Sequence, residues 1–163
     1  MSVETILEKL QNLVNIHEEL VAISKQKTEV VKEGSVENLQ ALLVKERKQI
    51  RVLEKEEKSR QEAVETWLFK NELPSNDVTI TRMLEIVSDQ KEKQELEQAT
   101  INLTQIITEL KQQEQLNLSL INQSMQFVQL SIDTLQPSIT NINYGNKQQD
   151  SGAMKRSVFD SQA

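Results

Sequence analysis

The sequence predicts an all-α fold, an elongated antiparallel helical bundle or coiled coil of three to four helices with a flexible C-terminal tail. Its 163 residues include only 3 Gly and 2 Pro, so few residues favour a turn or end a helix. Aromatic side chains make up 3% of the chain, which indicates slender helices packed along narrow seams. We expect one helical domain over residues 1–136 and the tail over 137–163.

The first helix is predicted from Val3 to Glu33, because residues suited to a helix seam alternate at spacings of four and three. These residues are Val3, Leu7, Leu10, Val14, His17, Val21, Ser24, Thr28 and Val31. Gly34 then tolerates positive φ at the helix end, and the Ser35 hydroxyl can cap the next helix. We therefore expect a tight reversal at residues 34–35.

The second helix has an imperfect apolar seam and many charged residues. Its apolar positions are Val36, Leu39, Leu43, Ile50, Leu53, Val64 and Trp67 or Leu68. The pairs Glu54 with Lys58 and Glu56 with Arg60 have the favourable four-residue order of helix ion pairs, so we expect these charges on a solvated face. Trp67, Leu68 and Phe69 are expected to close the end of the helical hairpin.

A loop and a short helix follow the hairpin. The loop is predicted from turn-forming residues, which are Asn71, Pro74, Ser75, Asn76 and Asp77. Ile80, Met83, Leu84 and Val87 suggest a short helix. Asp89 and Glu92 have the spacing of a capping box, which marks either a helix restart or a solvated continuation.

A long final helix is predicted to end before Pro137, because proline discourages further helix. Its apolar positions include Leu96, Ala99, Leu103, Ile106 or Ile107, Leu110, Leu120, Phe127 and Leu130. From Gln115 to Asn146 the chain carries one formal charge, Asp133. Because burying unpaired charge is costly, a charge-poor apolar segment is where a partner surface is expected.

Two apolar stripes run along this charge-poor segment at helical spacing. One consists of Ile121, Met125, Val128, Ile132 and Leu135, and its neighbour consists of Leu116, Leu120, Phe127 and Leu130. One stripe can pack on the bundle while the other remains available to a partner. Burial of both stripes within the protein or in a self-dimer is an equal alternative on periodicity alone.

Composition and charge set expectations about partners and location. A formal net charge of -6 disfavours nucleic acid and anionic lipid as partners. Glu4, Glu8 and Lys9 interrupt the first residues, so no secretory signal is expected and the chain should remain in the cytoplasm. Polar residues recur throughout residues 115–132, so no membrane insertion is expected there.

The sequence offers little support for catalysis, a cofactor or a metal. His17 is the only imidazole and the chain has no Cys, so neither a Ser-His-Asp triad nor a thiolate site is indicated. A single His also cannot supply the paired ligands of a metal site in a helical bundle. We therefore expect a protein that is not an enzyme, with His17 in a seam or on the surface.

The chain resembles the FlgN family of flagellar export chaperones along most of its length. The residues that carry the resemblance are Leu39, Leu42, Leu43, Glu46, Arg47, Leu53, Glu57 and Arg60, then Asn117, Leu120 and Ile121, then Tyr144-Gly145 and the ending Arg156-Ser157-Val158-Phe159-Asp160. Helical patterns recur widely, but the order of these elements is more restrictive.

The resemblance implies an ATP-independent cytosolic chaperone for hook-associated proteins of the FlgK/FlgL type, working with the flagellar type III export apparatus. It implies that Asn117, Leu120 and Ile121 contact the partner, and that Tyr144 contacts either client or export gate. Periodicity extends the predicted contact set to Met125, Val128, Ile132 and Leu135. The alternative is a structural coiled-coil adaptor or a self-associating scaffold, which would use the same stripes to form a homo-oligomer.

Overall fold

The computed structural model describes residues 3–76 and 79–144, with side-chain environments up to residue 135. Its helices are α1 (Glu4–Glu33), α2 (Val36–Lys70), α3 (Ile80–Ile86) and α4 (Gln90–Tyr144). No strand occurs within those described ranges, which confirms the all-α prediction. The chain divides into two compact units, Met1–Leu120 and Ile121–Ala163.

The reversal between α1 and α2 forms at Gly34, as predicted. Gly34 has φ 73°, a left-handed conformation that glycine adopts without a Cβ clash. The Ser35 Oγ accepts a hydrogen bond from Asn38 N at 3.4 Å, which satisfies a free amide of the first turn of α2. Local chemistry therefore sets this turn.

The start of α4 resolves the alternative that the sequence left open. Asp89 Oδ1 accepts a hydrogen bond from Glu92 N at 2.9 Å, so Asp89 caps a new helix that begins at Gln90. The shorter α3 begins in the same way, because Thr79 Oγ1 accepts from Arg82 N at 3.3 Å. The capping-box spacing thus marks a restart.

The predicted end of the long helix before Pro137 is corrected by the structure. The backbone of α4 remains helical through Pro137 and ends at Tyr144. Proline removes one hydrogen-bond donor and crowds one turn, but it leaves the other backbone hydrogen bonds of a long helix available. Of the predicted tail, residues 145–163 lie outside the described residues.

The long helices of the first unit run up, down and up. Asn12 Nδ2 donates to Glu56 Oε1 at 2.9 Å and Lys27 lies 2.7 Å from Glu46, so α2 runs antiparallel to α1. In contrast, α4 runs parallel to α1, because residue numbers rise together along the contacts between them. Those contacts include Val3 with Glu92, Lys25 with Glu109, and Lys27 with Glu114.

The apolar core lies at the end of the first unit where α1 and α4 begin and α2 ends. Its buried members are Val3, Ile6, Leu10, Val64, Trp67, Leu68, Met83, Val87 and Leu96. Trp67 and Leu68 close this end as predicted, whereas Phe69 is 81% exposed. The loop and α3 therefore serve to seal the core before α4 returns along α1.

Buried residues occur along most of α1 but only near the end of α2. Most predicted seam positions of α1 are buried, including Val14, His17 and Val21, while Leu7 and Val31 are partly buried. The buried residues of α2 are limited to Val64, Trp67 and Leu68. The imperfect seam of α2 therefore corresponds to a helix that the described residues cover only in part.

Candidate protein-binding surfaces

The apolar residues of α4 between Ile121 and Leu135, here called the α4 strip, are exposed in the structure. The large hydrophobic members of the strip are Ile121 37%, Met125 64%, Phe127 71%, Val128 55%, Leu130 65%, Ile132 44% and Leu135 59% exposed. Asp133 is the one charged residue in this stretch. The strip therefore offers an apolar, nearly uncharged surface in the second unit.

The two predicted stripes are similar in the exposure of their side chains. Phe127 and Leu130, from the neighbouring stripe, are at least as exposed as Ile121 and Val128. Leu116, which belongs to the first unit, is 46% exposed, and Leu120 is partly buried. Apolar side chains of both stripes are thus exposed among the described residues.

Asn117 occupies an internal position and not an open surface. It is 2% exposed, and its Nδ2 donates to Ser24 O at 2.9 Å and to Ser24 Oγ at 3.0 Å. Its Oδ1 accepts from the Thr28 hydroxyl, and Gln113 Nε2 donates to Thr28 Oγ1 at 2.6 Å. Asn117 therefore joins α4 to α1 and is not available to a partner in this conformation.

The remaining predicted contact, Tyr144, is the last residue of α4. The environment of its side chain lies outside the described part of the chain. The predicted set is thus divided in the structure. Asn117 packs inside the first unit, Leu120 is partly buried, and Ile121, Met125, Val128, Ile132 and Leu135 are exposed on the second.

Lys27 connects three helices and was not singled out by the sequence analysis. It is 7% exposed, with Nζ 2.7 Å from Glu46 Oε2 and 2.9 Å from Glu114 Oε1. Burial favours the neutral amine, but the hydrogen bonds and charges of the two carboxylates outweigh burial and raise the pKa of Lys27. The one sequence feature that could have indicated the burial of Lys27 is its position next to Thr28, a predicted seam residue of α1.

Two carboxylates of α2, Glu56 and Glu57, also form hydrogen bonds and ion pairs. Glu56 accepts from Asn12 and lies 3.2 Å from Lys9 Nζ, and these contacts lower the pKa of its carboxyl group. Arg60 donates two hydrogen bonds to Glu57, at 2.8 and 2.7 Å, which lowers the pKa of Glu57. Glu56 therefore pairs with Asn12 and Lys9 of α1, which its four-residue spacing to Arg60 did not predict.

An open groove of about 490 Å³ lies between α1, α2 and α4 within the first unit. Residues lining it include Leu10, Leu13, His17, Leu53, Leu103 and Ile107. The hydroxyls of Thr100 and Thr104, which also line it, donate to carbonyls one turn back along α4. Those two hydroxyls are satisfied by the helix itself. The other polar side chains of the lining include Glu57 and Arg60, which pair with each other.

The described residues contain neither a cluster of metal-ligating side chains nor a helix suited to cross a membrane. Among them, His, Asp and Glu side chains form no group of three that could hold a metal ion. His17 instead donates from Nδ1 to Leu13 O at 2.7 Å within α1, in agreement with the predicted seam position. None of the helices, as far as the structure describes them, combines the length and hydropathy needed to span a bilayer.

Comparison with known proteins identifies the family. The family model described as FlgN protein matches residues 1–152. The chain is also 32% identical over 165 residues to the Bacillus subtilis (strain 168) protein named Uncharacterized protein YvyG, with 100% of both chains covered. No solved structure matches the chain. Because the family model matches most of its length, this chain belongs to the FlgN family, a family of flagellar export chaperones.

Proposed function

We propose that this protein is a cytosolic flagellar type III export chaperone that binds a terminal helical segment of hook-filament junction proteins of the FlgK/FlgL type. Binding would prevent such a segment from associating prematurely before export. The family membership supports a role with flagellar proteins in general. The identity of the client and the surface that holds it are our proposal.

The observation that carries the proposal is the exposure of the α4 strip. Met125 and Phe127 are 64% and 71% exposed, although a long apolar side chain gains about 1.5–3 kcal/mol when fully buried. A contiguous set of such residues on a helix is typical of a surface that another polypeptide covers. Ion pairs on a helix surface contribute only about 0.2–0.5 kcal/mol each, so apolar contact would dominate binding.

The chemistry of the strip favours an amphipathic helix as its occupant. Ile121, Val128 and Ile132 recur at helical spacing, so a client helix can match them with its own apolar stripe. The lack of charge apart from Asp133 means that little charge is buried when the client docks. Because such contacts are non-covalent, release of the client helix would require no bond cleavage and no nucleotide.

The direct test is light scattering on the purified full-length protein mixed with the terminal segments of hook-filament junction proteins. The proposal expects a complex whose mass equals the sum of chaperone and client segment. A matched segment with its apolar stripe changed to Ser should form no complex. If both segments leave the chaperone mass unchanged, the chaperone assignment for these clients is wrong.

A structural adaptor or self-associating scaffold remains the second candidate, because exposed stripes can equally join identical subunits. The same light-scattering experiment on the protein alone separates the two functions. A dimer mass that disappears when Phe127 and Leu130 are changed to Ser would favour the scaffold. A monomer that acquires mass only with the client segment would favour the chaperone.

We further propose that the protein reaches the export apparatus while carrying its client, with Tyr144 as a contact to client or export gate. The position of Tyr144 at the end of α4, beyond the strip, supports a role separate from the apolar contacts. Changing Tyr144 to Ala and measuring both client binding and client export distinguishes the two roles. Retained client binding with lost export would assign Tyr144 to the gate.

A further inference from the structure

The charges of α2 are separated between two sides of the helix, although they alternate along the sequence. Glu46 and Glu56 are partly buried and pair with Lys27 and Lys9 of α1, and Glu57 is partly buried against Arg60. The exposed cations of the same stretch are Lys45, Arg47, Lys48, Arg51, Lys55 and Lys58. These cations form what we call the basic face of α2.

The basic face has few carboxylate partners among the described residues. Among the described residues, no ion pair joins Lys45, Arg47, Lys48, Arg51 or Lys55 to a carboxylate, and Lys58 lies 3.8 Å from Glu62. Glu54 is the one exposed carboxylate of α2 between Val44 and Lys58. A cationic surface is thus concentrated on one helix of a protein whose formal net charge is -6.

Two exposed valines lie among these cations. Val44 is 61% exposed and Val52 is 43% exposed, and they stand four residues before and after Lys48. Residues at this spacing are neighbours on one helix surface. The face therefore combines apolar anchor points with flanking positive charge.

We propose that the basic face of α2 docks an acidic amphipathic helix of a second protein. Carboxylates of that helix would pair with Arg47, Lys48 and Arg51, and its apolar side chains would cover Val44 and Val52. The site is separate in sequence from the α4 strip and does not depend on the client assignment. Complementary charge would guide the encounter and fix the register, while the apolar contacts would hold the helix.

Charge and shape favour a protein partner over phosphate-bearing partners. The net charge of the chain acts alike on every anionic partner, so the local composition of the basic face decides between them. The basic face contains no aromatic side chain that could stack on a base. Val44 and Val52 would contribute nothing to phosphate contacts, whereas they suit the apolar stripe of a helix.

The test uses a helical probe peptide of about 20 residues, with Glu on either side of a Leu stripe, and a scrambled peptide of identical composition. Fluorescence anisotropy with the full-length protein should show binding of the ordered peptide at least about tenfold tighter than the scrambled one. The Arg47→Glu/Arg51→Glu variant should weaken ordered-peptide binding about tenfold or more. Raising salt from about 50 to about 300 mM should also weaken it.

A control variant with the same change in net charge is Lys70→Glu/Lys111→Glu, which alters exposed cations outside the basic face. It should bind the ordered peptide within about twofold of the unchanged protein. Equal binding of ordered and scrambled peptides, or equal losses in both variants, would overturn the proposal. Tighter binding to a DNA oligonucleotide or to anionic vesicles would also overturn it, as would a salt-sensitive dimer abolished by Arg47→Glu/Arg51→Glu.

Discussion

Asn117 on α4 donates through one amide group to both the carbonyl and the hydroxyl oxygen of Ser24 on α1, at 2.9 and 3.0 Å. The same side chain accepts from Thr28 one turn further along α1. A residue with this set of partners fixes the register of two parallel helices, because a shift of one turn would leave buried polar atoms unpaired. The buried polar residues of the α1 seam therefore specify the register of α1 against α4.

The first prediction concerns stability and Asn117. Asn117→Ala removes buried hydrogen bonds to Ser24 and Thr28, so the free energy of unfolding should fall by about 1–3 kcal/mol. Urea unfolding followed by far-ultraviolet circular dichroism measures this change. Asn102→Ala, which removes an exposed contact with Gln98, should change the free energy by less than about 0.5 kcal/mol.

A different outcome would restore the role that the family resemblance implied for Asn117. If Asn117→Ala unfolds like the unchanged protein but loses client binding, its amide acts at a partner surface and the buried position does not describe the working state. Loss of stability with client binding retained under folding conditions would agree with the structure.

The second prediction concerns acid sensitivity and two carboxylates of α2. Contacts with Asn12 and Lys9 lower the pKa of Glu56, and those with Arg60 lower the pKa of Glu57, from an ordinary value of 4.5. Lowered values in the folded state stabilise the protein above that pH, and the contribution is lost as pH falls through the folded pKa. Unfolding free energy should therefore fall from about pH 4.5 toward pH 3.

The Glu56→Gln/Glu57→Gln variant tests which groups cause this loss. It should be less stable at neutral pH and should lose less stability on acidification, as measured by urea unfolding at each pH. Glu97→Gln removes an exposed carboxylate of α4 and should retain the pH slope of the unchanged protein. An unaltered slope in the double variant would place the acid-sensitive groups elsewhere.

The third prediction concerns the core at the end of α2. Leu68 is 0% exposed, so Leu68→Ala should lower the free energy of unfolding by about 2–5 kcal/mol. Leu118→Ala, at a leucine that is 60% exposed, should cost far less. The fluorescence of Trp67, the only tryptophan, reports unfolding from within this core. Similar losses in both variants would contradict the assigned burial.

Local sequence signals predicted much of this fold because their chemistry acts over a few residues. Gly34 and Ser35 specify a reversal through φ and a side-chain cap, and Asp89 specifies a helix start in the same way. The α1 seam was also readable from spacing. The continuation of α4 past Pro137 was not, since one proline weakens a helix without determining whether its neighbours sustain it.

The functional surfaces depend on contacts that spacing alone does not specify. Asn117 stands in an uncharged stretch and resembles a surface residue, yet Ser24 and Thr28 in the α1 seam require a polar partner. The separation of charge on α2 arises because Lys9 and Lys27 attract carboxylates inward. Both features become visible only when the partner helix is known.

The last prediction concerns the α4 strip and rests on the proposed chaperone function. Ile121→Ser/Val128→Ser/Ile132→Ser should weaken binding of a junction-protein terminal segment by about tenfold or more, since partly exposed apolar anchors are lost. Helicity should stay near normal, because these side chains are 37%, 55% and 44% exposed and Ile and Ser have similar helix propensities.

The control, Leu43→Ser/Ile50→Ser/Ile101→Ser, changes residues that are 40%, 37% and 49% exposed outside the strip. Calorimetric titration measures both affinities beside circular dichroism. Collapse of helicity in the strip variant alone would show that the strip is a core in solution, whereas equal loss of affinity in both variants would show that clients bind without using the strip.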